Sequence, residues 1–89
     1  MLTAQDKQLL EQIGHSKQDI AFIIQAEKKT TYALIQPNGN QLTIGKEEAI
    51  ERLGREEWLR GLARSAFYIE TKRFGLNGER IALHSRVYQ

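Results

Sequence analysis

The chain of 89 residues reads as a single α+β domain of order ααββααββ, with two Asn-Gly β-hairpins forming an antiparallel sheet and the helices packed on one face. Two observations carry this reading. Apolar residues recur at helical spacing in two pairs of segments, and each pair is followed by two short strand-like runs joined through Asn38-Gly39 or Asn77-Gly78. The composition, 40% apolar and 27% charged, is a globular mix, and the length allows one thin core over residues 1–89.

Thr3 and Asp6 resemble a capping arrangement at the start of a helix over about residues 4–13, whose Leu9, Leu10 and Ile13 share a face. Gly14 stops it, and Ser16 with Asp19 starts a second helix over about 17–28, carrying Ile20, Phe22, Ile23, Ile24 and Ala26. Thr30–Gln36 and Gln41–Ile44 then flank Pro37-Asn38-Gly39-Asn40. A two-residue loop pairs Ile35 with Leu42 and Ala33 with Ile44 as the core face, leaving Tyr32, Leu34, Gln36, Gln41 and Thr43 on the other. Residues 46–53 form a short helix up to Gly54, and from Arg55 to about residue 66 Trp58, Leu59, Leu62, Ala63 and Ala66 make an apolar face with Trp58 as the core anchor. Periodicity does not settle whether Gly54 breaks or only bends one helix over 46–66, since a lone glycine costs only about 1 kcal/mol. Phe67–Phe74 and Arg80–Tyr88 form the second hairpin. There a bulge at Gly75 or Gly78 puts Ile81, Leu83 and Val87 on the face of Phe67, Ile69 and Thr71, away from Glu70 and Lys72.

The chemistry-bearing residues point away from catalysis. The chain has no cysteine and only two histidines, His15 and His84, roughly seventy residues apart, so no metal motif is present and no cofactor is expected. Glu47, Glu48, Glu51, Glu56 and Glu57 alternate with bases, and Glu48–Arg52 and Glu56–Arg60 are i, i+4 ion pairs of a solvated face. Ser65 and Ser85 have no evident base partner, and the glycines form no nucleotide-binding fingerprint. The expectation is a protein that is not an enzyme. The absence of cysteine, of a signal-like N-terminus and of a long apolar segment suits the cytoplasm, with no membrane partner.

Charge is unevenly placed. Residues 1–51 carry five lysines against seven acids, net −2, whereas 52–89 carry seven arginines and one lysine against four acids, net +4. Two functional readings follow. The first is an accessory or regulatory protein acting through protein–protein contacts, including self-association, with Tyr32 and Leu34 as exposed contact residues. The alternative is a weak nucleic-acid-binding module of little sequence preference. Its stripe is Arg60, Arg64, Lys72, Arg73, Arg80 and Arg86, and Tyr88 is available to stack on a base.

The run TIGKEEAIERLGREEWLRGLARSAF, from Thr43 to Phe67, together with LLEQIGHSKQDIAFI nearer the N-terminus, resembles short proteins carried on conjugative elements and plasmids of Gram-positive bacteria. That group has no assigned activity or catalytic residues, so the resemblance implies only a setting of mobile DNA. The hairpin from Lys72 to Gln89 departs most from the group's pattern.

Overall fold

A computed structural model describes residues 1–86. Eight elements follow the order ααββααββ: α1 (Ala4–Ile13), α2 (Lys17–Glu27), β1 (Thr30–Ile35), β2 (Gln41–Ile44), α3 (Lys46–Leu53), α4 (Arg55–Tyr68), β3 (Glu70–Phe74) and β4 (Arg80–Ser85). Local chemistry sets the helix ends. Thr3 Oγ1 accepts the Asp6 amide while the Asp6 carboxylate accepts the Thr3 amide, which closes a capping box, and Ser16 caps α2 through the Asp19 amide. Gly54 adopts φ 82° and ψ 153°, so α3 and α4 are separate helices. α4 runs two residues past its expected end and takes up Phe67 and Tyr68, which leaves β3 shorter than the sequence suggested.

The strands form one antiparallel sheet in the order β2-β1-β4-β3. In both hairpins the loop spans three residues. Gln36 accepts the Gly39 amide across Pro37-Asn38, Gly75 accepts the Gly78 amide across Leu76-Asn77, and Gly39 and Gly78 take positive φ of 88° and 81°. At Gly78 this is the bulge the sequence favoured, and Ile81 and Leu83 pair with Arg73 and Thr71. In the first hairpin it overturns the expected register. Tyr32 pairs with Ile44 and Leu34 with Leu42, a shift of one residue that exchanges the two faces. Tyr32, only 4% exposed, is therefore a core residue, and Leu34 faces the helices against the core, so neither is the exposed contact residue expected.

The core lies between the sheet and the helices. Trp58, Leu59 and Leu62 of α4, Leu10 of α1, Ile23 of α2 and Leu53 of α3 meet Tyr32, Ile81 and Leu83 of the strands. The indole N–H of Trp58 donates to the Tyr32 hydroxyl at 3.0 Å. Close approach of β3 and β4 to α4 needs Gly61, where an added Cβ would lie 3.1 Å from Arg73 Cγ and 3.2 Å from a Leu83 methyl.

Two polar clusters are buried with this core. Asp6 receives Arg55 Nε and a terminal guanidinium nitrogen at 2.7 and 2.6 Å. The hydrogen bonds from Arg55, opposed by burial and reinforced by the Thr3 amide, hold its carboxyl at about 2. In the second cluster the Thr30 hydroxyl lies 2.6 Å from the Ala26 carbonyl and 2.8 Å from Ser85 Oγ. Ser65 Oγ lies 2.8 Å from Ser85 Oγ and 3.1 Å from the Leu62 carbonyl. Each hydroxyl has one proton, so three protons serve four contacts and one oxygen pair is always without a hydrogen between its members.

Trp58→Ala should cost ~3–5 kcal/mol by opening a large cavity and stranding Tyr32. Ser85→Ala should cost under about 1 kcal/mol, because Thr30 and Ser65 keep their carbonyl acceptors. Urea unfolding followed by circular dichroism measures both, and a Ser85 variant as damaged as the Trp58 variant would contradict the proton count. The folded-state pKa of Asp6 lies below its ordinary value of 3.8, so its contribution is present above that pH and lost as pH falls through about 2. Asp6→Asn should therefore be less stable than the parent by roughly 2 kcal/mol at neutral pH, with the gap closing at about pH 2.

Candidate nucleic-acid interface

Strand parity divides the basic residues. The fully buried residues of β4, Ile81, Leu83 and Ser85, face the helices, so Arg80, Ala82 and His84 lie on the opposite, open side, where the small Ala82 is covered by its neighbours on the sheet. Cross-strand partners share that side. Glu70, His84 and Thr31 form one row, Lys72, Ala82, Ala33 and Thr43 the next, and Phe74, Arg80, Ile35 and Gln41 the third. Small residues in the middle leave a trough of about 440 Å³ bordered by Glu70, His84 and Arg86. Phe74 is 67% exposed at one end.

Of the six cations in the expected stripe, the open face holds Lys72, Arg80 and Arg86. None of the three makes an ion pair among the described residues, and the one carboxylate at a strand position of this face is Glu70. Adjacent strand positions point to opposite sides, so Arg73 is turned away from Lys72 toward α4. There its guanidinium grips both oxygens of Glu57 at 2.9 and 3.0 Å. Arg60 pairs with Glu56 at 3.2 Å, and the Arg64 guanidinium lies 4.8 Å from the centre of the Tyr68 ring. The stripe is thus two groups on opposite sides of the sheet. Tyr88 lies outside the described residues.

The helix-side group borders a second cleft, lined by Ile13, His15, Asp19, Arg64, Phe67 and Tyr68 among others. The His15 ring stacks on Phe67 with centroids 6.5 Å apart, and His15 Nδ1 lies 3.7 Å from Asp19. With Arg60 and Arg73 each held by a glutamate, little unbalanced charge remains here. Below the cleft Ile69 ends α4 at φ 71° and ψ −48°, a conformation costly for a β-branched side chain, and its carbonyl accepts the Ser85 amide at 2.7 Å.

The two serines weighed at the sequence level are core groups: Ser65 and Ser85 are fully buried and bonded to each other. Among the described residues no group of three His, Asp or Glu side chains is placed to hold a metal ion, and no helix is long and apolar enough to cross a membrane. The residue that sequence reasoning left out of the site is Phe74. Its signal was parity with Lys72 on β3, and the bulge at Gly78 then puts Arg80 opposite it. Compared with protein-family models, curated proteins and solved structures, the chain gives no match.

Ile69→Gly should raise stability by about 1 kcal/mol despite the flexibility it adds to the unfolded chain, because glycine adopts this backbone without strain. Chemical denaturation of the variant beside the parent tests this, and a loss of stability would show that the Ile69 side chain contributes more than its backbone costs.

Proposed function

We propose that the protein is a non-enzymatic binding module whose open sheet face takes single-stranded nucleic acid, mainly through its phosphates. The observation that carries this reading is the company of Lys72, Arg80 and Arg86. They share a face that no helix covers, no carboxylate pairs with them among the described residues, and Phe74 stands exposed directly opposite Arg80. An exposed ring offers a stacking surface to any base, and cations spread along the strands suit a chain of phosphates. Arg80 opens β4 and Arg86 follows its last residue, so the two are separated by about 20 Å at the usual rise, long enough to span several nucleotides. The flat trough of Ala33, Ala82 and Thr43 between them admits a backbone at close range. Little sequence preference follows, because among the described residues Gln41 is the one amide side chain at a strand position of this face.

Fluorescence anisotropy with a labelled oligonucleotide at low salt tests the reading. Three phosphate contacts on a single strand should give a slope of about −2 for the logarithm of affinity against that of salt concentration. Arg80→Ala with Arg86→Ala should reduce the slope to below about −1 in magnitude, and Phe74→Ala should weaken binding by ~1–3 kcal/mol. Arg60→Ala with Arg64→Ala, on the other side of the sheet, should leave binding unchanged. No binding at ~100 μM protein, or equal losses from the two double variants, would remove this function.

A further inference from the structure

The sheet ends in two edges of different character. β3 carries Glu70, Lys72 and Arg73, charges of the kind that discourage a second strand from pairing. β2 reads Gln41-Leu42-Thr43-Ile44, without charge or proline, and is the terminal strand on its side. Nothing on β2 itself guards that edge. Its Leu42 side chain lies on the helix side of the sheet but is 52% exposed, so the helices do not reach over it.

The direction of the free backbone groups follows from the ladder. The Gln36 amide donates to the Asn40 carbonyl, and in an antiparallel pair the hydrogen-bonded positions recur every second residue. Leu34 with Leu42 and Tyr32 with Ile44 are therefore the bonded pairs of the hairpin. The amides and carbonyls of Gln41 and Thr43 consequently point outward from the edge, two donors and two acceptors that no strand among the described residues receives. We infer that this edge pairs with β2 of a second copy of the chain, joining two four-stranded sheets into one of eight antiparallel strands.

A two-fold axis through Leu42 satisfies the edge completely. Gln41 of each chain then exchanges two N–H···O=C bonds with Thr43 of the other, which makes four bonds in all. Between them the two Leu42 side chains stand directly opposite at a non-hydrogen-bonded position, where Cα atoms are about 4.5 Å apart. Each Leu42 already lies beside Leu34 of its own chain, so the contact closes an apolar group on the helix side. Gln41 and Thr43 fall on the open side of both copies. The strand is its own antiparallel complement, with a neutral polar residue on each side of the central leucine and no like charges brought together. That self-complementarity is what singles out a second copy as the occupant. The contact is small beside a standard interface of about 1,600 Å², so dissociation in the micromolar range or above is expected.

Because the chain contains no cysteine, Leu42→Cys places a single thiol at the proposed axis. Under mild oxidation in native buffer it should form a disulfide-linked dimer at least about tenfold faster than Leu76→Cys, an exposed position on the other hairpin loop, since cross-strand Cα spacing there suits a disulfide. In denaturant the two rates should become equal. Sedimentation equilibrium of the unaltered protein should show the mass rising from 10.2 kDa toward twice that value as concentration increases. Thr43→Pro, which removes an outward amide and leaves the bonds to β1, should remain monomeric with an unchanged circular dichroism spectrum. A monomer at about 1 mM, equal native oxidation rates at positions 42 and 76, or a dimer that a folded Thr43→Pro variant retains would each overturn the inference. None of these measurements involves nucleic acid, so they stand or fall apart from the binding reading above.

Discussion

Trp58 is the constraint on which the rest of the arrangement depends. It is the chain's one tryptophan, it is fully buried, and an indole N–H removed from water needs an acceptor. Tyr32 supplies that acceptor from the middle of the sheet. Around the ring stand two cations, Arg55 with its guanidinium carbon 5.1 Å from the centroid and Lys46 with its amine at 5.8 Å. Each cation is held in turn by a buried carboxylate. Arg55 binds Asp6 of α1, and Lys46 binds Glu27 of α2, which also receives the N-terminal amine at 2.9 Å. Burial works against the Glu27 carboxylate, but hydrogen bonds from the N-terminal amine and Lys46 outweigh it and keep its pKa below the ordinary value. Four helices and the first strand thereby converge on one side chain. Only the carboxylate of each pair is buried, the Arg55 and Lys46 side chains being 46% and 32% exposed, and the pairs tie α1 to α4 and α2 to the start of α3.

The same contact explains where sequence reasoning succeeded and where it did not. Helix ends were legible because capping is local: Thr3 and Asp6, Ser16 and Asp19, and the stop at Gly14 lie within one turn of the boundary they set. The second hairpin was legible because only one register keeps Ile81 and Leu83 away from Glu70 and Lys72. In the first hairpin both faces are apolar, Tyr32 and Leu34 against Ala33 and Ile35, so the pattern could not choose between a two-residue and a three-residue loop. The observed register buries Tyr32 and Ile44 in the core and gives Trp58, twenty-six residues along the chain, the Tyr32 hydroxyl as its acceptor, contacts that the local pattern does not contain. The candidate site shows the same limit. The sequence identified the cations, but the Arg73–Glu57 pair, sixteen residues apart, is a tertiary fact that removes one of them from the open face.

The hydroxyls of Thr30, Ser65 and Ser85 give the layer contact a different property. They link α2, β1, β4 and α4 through oxygens rather than through interlocking methyl groups. Three protons shared among four contacts can rearrange by hydroxyl rotation alone, so the link tolerates small shifts between helices and sheet that a packed leucine would resist. It lies directly beneath His84 and Glu70 of the open face, since Ser85 and His84 are consecutive on β4. The open face therefore rests, at this point, on hydroxyl contacts rather than on interlocked apolar side chains.

Charge is segregated by layer, and this segregation is what supports the proposed reading of the open face as a binding surface. Arg52, Arg55, Arg60 and Arg73 each have a carboxylate partner, and Arg64 lies over Tyr68. Arg80 and Arg86 have neither among the described residues. Acids to pair with them are not scarce, since the chain holds eleven, but they stand on the helices and on the loop at Glu79, leaving Glu70 alone on the open side of the strands. Were solubility the only requirement, mixed signs on this face would serve it and would lessen repulsion among the three cations. An exposed Phe74 among those cations adds a cost in water that a stacking partner would recover. Unpaired cations, an uncovered ring and a trough of small side chains on one face suit the proposed ligand, since a single nucleic-acid strand is anionic and also presents flat apolar surface.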